Sequence, residues 1–338
     1  MRRDAKITAF VSHIWSWYSL HKRQLPWRDL WHLPETDRAY RILVSEVMLQ
    51  QTQVDRVKII FVAFLKTFPT IEDLAQASNR EVLMVWRGMG YNSRAVRLRD
   101  AARYIVGKYN VEQSVTKNQK LKTKNTLRFP TEMHELQSIP GIGPYTAAAI
   151  RNFAFNLPTP CLDTNIRRVL HRAFVGKENE DGTWRKDDRY MLKLAGEVMN
   201  VALEKSEIRN LKSETKIKSQ ISDFKFQISD FRHDAANWHS ALMDYGSLVE
   251  KGPSGKRKRT SEPGREVSGK FIPNRIFRGR IVETLRDSDQ GFPLASIGGR
   301  ICTDWNPRHH HRWLKAILQR LVHDQLITKR GARFVLKD

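Results

Sequence analysis

Cysteine is scarce in this chain of 338 residues, where only Cys161 and Cys302 occur. Two cysteines so far apart cannot build a disulfide framework, and they are too few for a cysteine-based metal site. Long apolar runs are also missing. We find no stretch of about eighteen apolar residues that could span a membrane, and the N-terminus lacks the apolar segment of a signal peptide. The sequence therefore predicts a cytoplasmic protein, nucleoid-associated if bacterial, with no membrane partner.

Acidic residues are few relative to basic ones. Lys and Arg number 59 against 36 Asp and Glu, which gives a formal net charge of +23. A modest excess would indicate only solubility, but an excess of this size attracts polyanions. Nucleic acid is therefore the leading candidate partner.

The spacing of apolar residues predicts a mainly helical chain. Apolar positions recur every three or four residues through 6–109 and in segments between 131 and 174, a pattern typical of amphipathic helices. Residues 110–128 lack it and are predicted to form a loop. Residues 205–232 repeat with a period of seven. Either a partner-binding helix or a duplicated insertion without a role explains this repeat, and the second is favoured. Its coiled-coil-like stripe comprises Ile217, Ile221, Phe224, Ile228 and Phe231.

The C-terminal part differs in composition from the rest. Residues 251–275 are rich in Gly, Pro, Ser and basic residues, which indicates a flexible linker. Residues 276–338 return to helical spacing and end in two strand-like segments, a pattern that suggests a winged helix. The predicted domains are a core over 1–250 with insertions at 110–128 and 177–235, a basic linker over 251–275, and a winged-helix-like domain over 276–338.

One motif combines glycines with a helix start, LQSIPGIGPYTA at 136–147. Gly141 and Gly143 let the backbone approach a ligand closely, and Pro144 suits the first position of a helix. Free N–H groups at such a helix start can bind a phosphate. An ordinary turn between two helices is the alternative.

Two further motifs each offer a carboxylate. Glu46 lies in SEVMLQQTQV, beside Val44 and Val47, and an apolar setting raises the pKa of a carboxyl group toward the range that a general acid needs. A glutamate on the solvent face of a helix is the alternative. Asp163 lies in LDTNIRRVL at a predicted helix N-cap, and capping is the commoner role for such an aspartate.

Taken together, SEVMLQQTQV, WRGMGYNSRAVRL, IPGIGPYTAAAI and LDTNIRRVL resemble, in order and spacing, the motifs of the helix-hairpin-helix DNA glycosylases. The chain is most similar to the MutY-type adenine glycosylases. The resemblance covers roughly residues 20–175 and resumes at Trp238–Val249. It implies an all-α helix-hairpin-helix glycosylase core, followed here by the small winged-helix-like domain.

The resemblance also implies catalytic roles. Glu46 would protonate the leaving adenine, and Asp163 would stabilise the positive charge that develops on the sugar, as cleavage of a nucleosidic bond requires. Tyr145 and Asn165 complete the predicted catalytic group. Bifunctional members carry a lysine at the position of Tyr145, which forms a Schiff base, so we expect a monofunctional enzyme.

Other residues are implied to contact the DNA or the base, which must leave the stack before it is cleaved off. The predicted DNA-binding residues are Gln50, Gln51, Tyr91, Gly141, Ile142, Gly143 and Thr146. The predicted base-pocket residues are Leu25, Trp27, Arg28, Ser240 and Met243.

This chain departs from the family at three points. Four cysteines usually follow the last core helix and hold a [4Fe–4S] cluster. Here Glu250 stands at the first ligand position and only Cys302 follows, so we expect no cofactor and no metal. Ser240 stands where adenine-specific members commonly carry Glu or Gln. Residues 276–338 are too few and too helical for the family's Nudix-like domain.

The sequence thus predicts a monomeric, monofunctional glycosylase of base excision repair. Its predicted substrate is double-stranded DNA in which adenine is mispaired with guanine or 8-oxoguanine. A mismatch thymine or uracil glycosylase on the same core is one alternative, and a non-catalytic DNA-binding protein is another. The presence of both Glu46 and Asp163 argues against the second, because binding alone requires neither.

Overall fold

The computed structural model describes residues 3–111, 126–179, 181–217, 233–250 and 262–338, and most of these residues are helical. In chain order the helices are α1 (Arg3–His21), α2 (Glu35–Leu49), α3 (Val54–Thr67), α4 (Ile71–Gln76), α5 (Asn79–Val85), α6 (Ser93–Tyr109), α7 (Met133–Ser138), α8 (Pro144–Phe155), α9 (Thr164–Phe174), α10 (Asp188–Ile217), α11 (Asp234–Leu248), α12 (Asn274–Arg286), α13 (Leu294–Ile301) and α14 (Pro307–His323). The strands are β1 (Asn110–Val111), β2 (Thr126–Leu127), β3 (Gly264–Val267), β4 (Lys270–Pro273), β5 (Phe292–Pro293), β6 (Ile327–Arg330) and β7 (Arg333–Leu336). The predicted all-α core is confirmed. Among the described helices, none combines the length and apolarity needed to cross a membrane.

Contacts divide the chain into two compact units. The first comprises Met1–Leu43, Thr131–Gln137 and Ile142–Ser254, and the second comprises Val44–Pro130, Ser138–Gly141 and Gly255–Asp338. Helix α2 contributes its first turns to one unit and its last turns to the other. Glu46 therefore belongs to the second unit and Asp163 to the first.

The first unit is built around the indole of Trp238 on α11, which is fully buried. The rings of Trp15 and Phe10, both on α1, lie 5.4 Å and 6.5 Å from it. Helices α9 and α10 complete this apolar cluster. Buried apolar area of this kind supplies the main driving force for folding.

Helix α10 lies within the insertion predicted over 177–235, and it packs into the core of the first unit. Its residues Met191, Leu194 and Val198 are buried in the cluster of the first unit, so this part of the segment is integral to the core. They recur at three- and four-residue spacing, which places them on one face of the helix. The side chains of the predicted coiled-coil-like stripe lie outside the described residues.

In the second unit, helices α3 to α6 pack around the fully buried Trp86, whose ring lies 6.0 Å from that of Phe64. Thr70 and Ser78 open α4 and α5 with capping boxes, in which side chain and backbone satisfy each other's hydrogen bonds. The predicted loop over 110–128 holds a short antiparallel pair, β1 with β2, and the residues between them lie outside the described part.

The C-terminal elements of the second unit run helix, strand, helix, helix, strand, strand, which is the order of a winged helix. Their strands form a three-stranded sheet in the order β5-β7-β6. The sheet and helices α12 to α14 enclose a small core that includes Phe277, Leu314 and Leu318. This C-terminal domain is compact because each of its amphipathic helices buries one apolar face.

The flexible linker predicted over 251–275 is partly wrong. Strands β3 and β4 form an antiparallel hairpin in which Val267 lies opposite Lys270. The two residues between them, Ser268 and Gly269, have φ values of 50° and 74°, as a two-residue hairpin turn requires. Glycine and serine serve turns as well as linkers, so composition misled the prediction here. Residues 251–261 lie outside the described part.

Candidate active site

Glu46 lies near the end of α2, and its side chain is only 6% exposed. Val44, Val47 and Met48 around it in sequence are buried too. The alternative of a glutamate on the solvent face of an amphipathic helix is therefore wrong. Burial in apolar surroundings favours the protonated form of a carboxyl group, which is the form that a general acid needs.

The end of α2 is held by Arg94, a buried residue on α6. Its guanidinium donates to the carbonyl oxygens of Val47 at 2.9 Å and Met48 at 3.1 Å. It also donates to the Gln50 carbonyl and, at 3.0 Å, to Thr52 Oγ1. Carbonyl groups at the end of a helix lack partners within it, and Arg94 supplies the missing donors.

Arg94 also reaches the loop between α5 and α6. It donates to the Met89 carbonyl at 3.4 Å, and its guanidinium lies 5.4 Å from the centre of the Tyr91 ring. One side chain thus joins the loop after α2 to the loop that carries Tyr91. Arg94 has no predicted role, although it lies in WRGMGYNSRAVRL, because nothing in the motif reveals these partners.

Gln51 and Tyr91 share an uncommon backbone conformation. Their φ values are 56° and 45°, in the left-handed region that residues other than glycine rarely adopt. Such strain persists only where surrounding contacts enforce it, and Arg94 provides contacts to both loops. Both residues line one cleft of about 840 Å³ in the second unit, whereas Gln50 is exposed away from it.

The glycine motif forms the expected turn into α8. Gly141 has a φ of 84°, which favours glycine. Gly143 precedes Pro144 at the first helical position, and no side chain caps the helix. A Cβ at Gly143 would meet nothing within 4 Å, so the site is open to a close external approach. The side chains of Ile142 and Thr146 are each 5% exposed and leave only their backbones for DNA contact.

Asp163 is the N-cap of α9 in the first unit. Its carboxylate accepts from the Ile166 N–H at 2.6 Å and from Asn165 Nδ2 at 2.9 Å. Burial raises the pKa of Asp163, while these hydrogen bonds and the charge of Arg168 oppose the rise. The capping role is therefore present in the structure. The catalytic role of Asp163 stays a prediction.

Asn165 and Tyr145 also lie in the first unit. A Cβ added to Gly246 on α11 would lie 2.7 Å from the Cβ of Asn165 and 2.8 Å from its carbonyl oxygen. Glycine at 246 thus allows α11 to pack against the start of α9 and fixes the position of Asn165. Tyr145 is half-buried in the first turn of α8 and packs against the core cluster of this unit.

Three of the predicted base-pocket residues lie together in the first unit. Trp27, Arg28 and Ser240 line one small cavity of about 30 Å³. Leu25 and Met243 do not line it, and Met243 packs against the core cluster instead. The base-pocket role of these five residues stays a prediction.

Arg28 is held by Asp244, a fully buried carboxylate on α11. Two nitrogens of Arg28 donate to it at 2.7 Å and 2.8 Å, and Arg23 Nε donates at 2.6 Å. Paired charges of this kind are stable only when their hydrogen bonds are satisfied. Asp244 was not identified from the sequence, because its partners lie more than two hundred positions away.

The first ligand of the family's [4Fe–4S] cluster would lie at the end of α11. The side chains found there do not fit such a cluster. Glu250 pairs with Arg172 at 2.8 Å, and Arg172 also pairs with Glu178 at 3.0 Å. Arg168 donates to the carbonyl of Gly246 at 3.1 Å. Iron–sulfur clusters require thiolates, whereas carboxylates and guanidinium groups satisfy one another here. Within the described residues, no His, Cys, Asp or Glu side chains group as a metal site.

Residues 44–188 match the model of the HhH-GPD superfamily of base excision DNA repair proteins. The adenine DNA glycosylase of Homo sapiens is 41% identical over 176 residues, 51% of this chain and 29% of that protein. The adenine DNA glycosylase of Mycolicibacterium smegmatis is 38% identical over 173 residues, 51% of this chain and 52% of that protein. The chain thus matches about half or less of these curated relatives.

Solved structures support the fold. A thermostable thymine-DNA glycosylase superposes with a TM-score of 0.52 at 22% identity, covering 76% of this chain and 93% of that one. The fold is therefore like that of this glycosylase structure. In sequence, the chain is similar to adenine DNA glycosylases, which confirms the predicted resemblance.

Proposed function

We propose that this protein is a monofunctional DNA glycosylase that hydrolyses the N-glycosidic bond of adenine mispaired with guanine or 8-oxoguanine in double-stranded DNA. The observation that carries the proposal is the buried carboxyl group of Glu46 on a helix whose end Arg94 ties to the exposed Tyr91. A proton donor is thereby set beside the loops that would enter the DNA. The similarity to adenine DNA glycosylases supports the choice of base.

Each side chain has one task in this reaction. Gln51 and Tyr91 would fill the space left by the extruded base, and Glu46 would give its proton to the departing adenine. Asp163, ionised, would stabilise the oxocarbenium character of the sugar. Water completes the hydrolysis, because Tyr145 offers no amine for a covalent Schiff base.

The test is a panel of duplexes incubated with the purified full chain under single-turnover conditions. We expect excision from A:G and A:8-oxoguanine pairs, with strand breaks only after alkali or heat, and no covalent complex after borohydride. Excision of thymine or uracil opposite guanine, with adenine left intact, would instead establish the alternative specificity. Ser240, buried where adenine-specific relatives commonly carry Glu or Gln, is the observation that favours including that arm.

We also propose that the enzyme works as a monomer and without an iron–sulfur cluster. The ion pairs among Arg172, Glu178 and Glu250 support the absence of a cluster, since they satisfy the end of α11 without thiolates. Metal analysis of the purified protein should find no stoichiometric iron. About four iron atoms per chain, with broad visible absorption, would overturn the proposal.

A further inference from the structure

The cleft of about 840 Å³ lies entirely within the second unit. On one side it is lined by the loops that carry Gln51 and Tyr91, and on the other by helices α12 and α14 of the winged helix. Its volume is in the range typical of small-molecule sites. The C-terminal elements therefore share a concave surface with two predicted DNA-wedging residues.

The winged helix is joined to these loops by buried polar contacts. Arg286 on α12 is only 5% exposed, and it donates to the Leu83 carbonyl at 3.0 Å and to Asn92 Oδ1 at 3.1 Å. Asn79 Nδ2 donates to the Gln325 carbonyl at 2.8 Å. A buried charge is tolerated only when its hydrogen bonds are made, so this arrangement is part of the fold. Because Asn92 follows Tyr91 directly, the contact also orients the Tyr91 loop.

Ion pairs surround this buried contact. Arg87, just after α5, pairs with Glu283 at 2.6 Å and with Asp287 at 2.6 Å. Arg80 on α5 pairs with Asp289. Exposed pairs add little stability individually, but together they fix the register of α12 against α5.

The lining has the chemistry of a nucleotide site. Trp313 contributes aromatic surface, and its indole is positioned by a hydrogen bond to Asn274 Oδ1 at 3.0 Å. Arg278 is paired with Asp324, whereas Arg320 is exposed and has no carboxylate partner among the described residues. Guanidinium groups suit phosphates, and aromatic rings suit the faces of unstacked bases.

We propose that this cleft binds one unstacked nucleotide, the one opposite the extruded base, with its base near Tyr91 and Trp313 and its phosphate at Arg320. The inference rests on the proposed function, since extrusion of a base by a glycosylase leaves the opposite nucleotide without a partner. The winged helix then contacts the strand opposite the one from which the base is excised.

The test compares two charge reversals on α14. Arg320→Glu changes an exposed residue that lines the cleft, and Arg312→Glu changes another exposed residue that does not. Both lower the net charge by the same amount, so general attraction to DNA falls equally. Affinity for an A:G duplex, measured by fluorescence anisotropy, should fall about tenfold more for Arg320→Glu, as loss of one charge-assisted hydrogen bond predicts. Equal losses would overturn the proposal.

A second comparison identifies the nucleotide. Trp313→Leu should weaken binding to the A:G duplex, and this defect should vanish when the residue opposite adenine is an abasic analogue. A defect of the same size on both duplexes would assign the cleft to a neighbouring nucleotide and overturn the assignment to the opposite one. Thermal unfolding of each variant verifies that it is folded.

These binding measurements do not depend on catalysis. If the wild-type chain excises no base from any duplex, the proposed function fails, whatever the variants show. If it excises adenine while Arg320→Glu and Arg312→Glu bind alike, only the cleft proposal fails.

Discussion

The two predicted catalytic carboxylates lie in contrasting surroundings. Asp163 begins a helix and satisfies the backbone of Ile166 and the side chain of Asn165, so the fold itself has a use for it. Glu46 lies within a helix among buried aliphatic residues, where an apolar side chain would pack without the cost of burying a carboxyl group. The structure thus shows a capping role for Asp163, whereas for Glu46 it shows burial among aliphatic residues. Four substitutions test this contrast.

The largest effect is expected at Glu46. Glu46→Gln keeps the shape of the side chain but cannot deliver a proton, so single-turnover excision should fall by about 10²- to 10⁴-fold. Affinity for the mismatched duplex should stay within about twofold, because no DNA contact is removed. Excision at the wild-type rate by a folded variant would show that Glu46 is not the general acid.

Asp163→Asn should reduce excision on the order of 10²- to 10³-fold, because a charge that faces the sugar is lost. Asparagine caps helices about as well as aspartate, so a purely structural residue would tolerate the change. A folded variant with unchanged excision would leave capping as the only role of position 163.

Asp163→Asn should also change how the stability of the protein depends on pH. Since burial raises the pKa of Asp163, ionisation of this group costs folding free energy above its folded pKa. That cost is relieved as the pH falls through the folded pKa. Asp163→Asn should therefore unfold at the same or a higher temperature than the wild type near neutral pH. This difference should disappear below the ordinary pKa of aspartate.

A smaller effect on excision is expected at Arg94, which holds the end of the helix that carries Glu46. Arg94→Lys keeps the charge but loses the planar set of donors, so the loops of Gln51 and Tyr91 should lose their strained conformation. We expect excision to fall by about tenfold or more, as loss of a few hydrogen bonds predicts. The ratio of affinity for mismatched duplex to affinity for matched duplex should decrease. A general loss of stability would not change this ratio. An unchanged preference, measured well below the unfolding temperature, would reduce Arg94 to a stabilising residue.

The smallest effect is expected on the side of Asp163. Gly246→Ala places a Cβ against the backbone of Asn165 and should lower the free energy of unfolding by about 1–3 kcal/mol, as overpacking does. Denaturant titration measures this loss, and Gly299→Ala, where an added Cβ has no close contact, is the matched control. Similar losses in the two variants would show that packing at Gly246 does not set the spacing of α9 and α11.

The sequence by itself determined the helices, the glycine turn before α8 and the resemblance to adenine DNA glycosylases, because each depends on residues that are close together in the chain. Periodicity located the buried faces, and Pro144 with two glycines marked the start of a helix. The same locality explains the errors. Ser268 and Gly269 were interpreted as part of a linker, since composition does not distinguish a turn between paired strands from a flexible segment.

Only the tertiary structure decided which distant groups meet. Arg94 binds carbonyl groups more than forty positions away, Asp244 holds two arginines from the N-terminal region, and Arg286 joins the winged helix to the Tyr91 loop. Such contacts form because a buried polar group must find a partner wherever the folded chain supplies one. The partner's position in sequence is set by packing, and no local pattern encodes it.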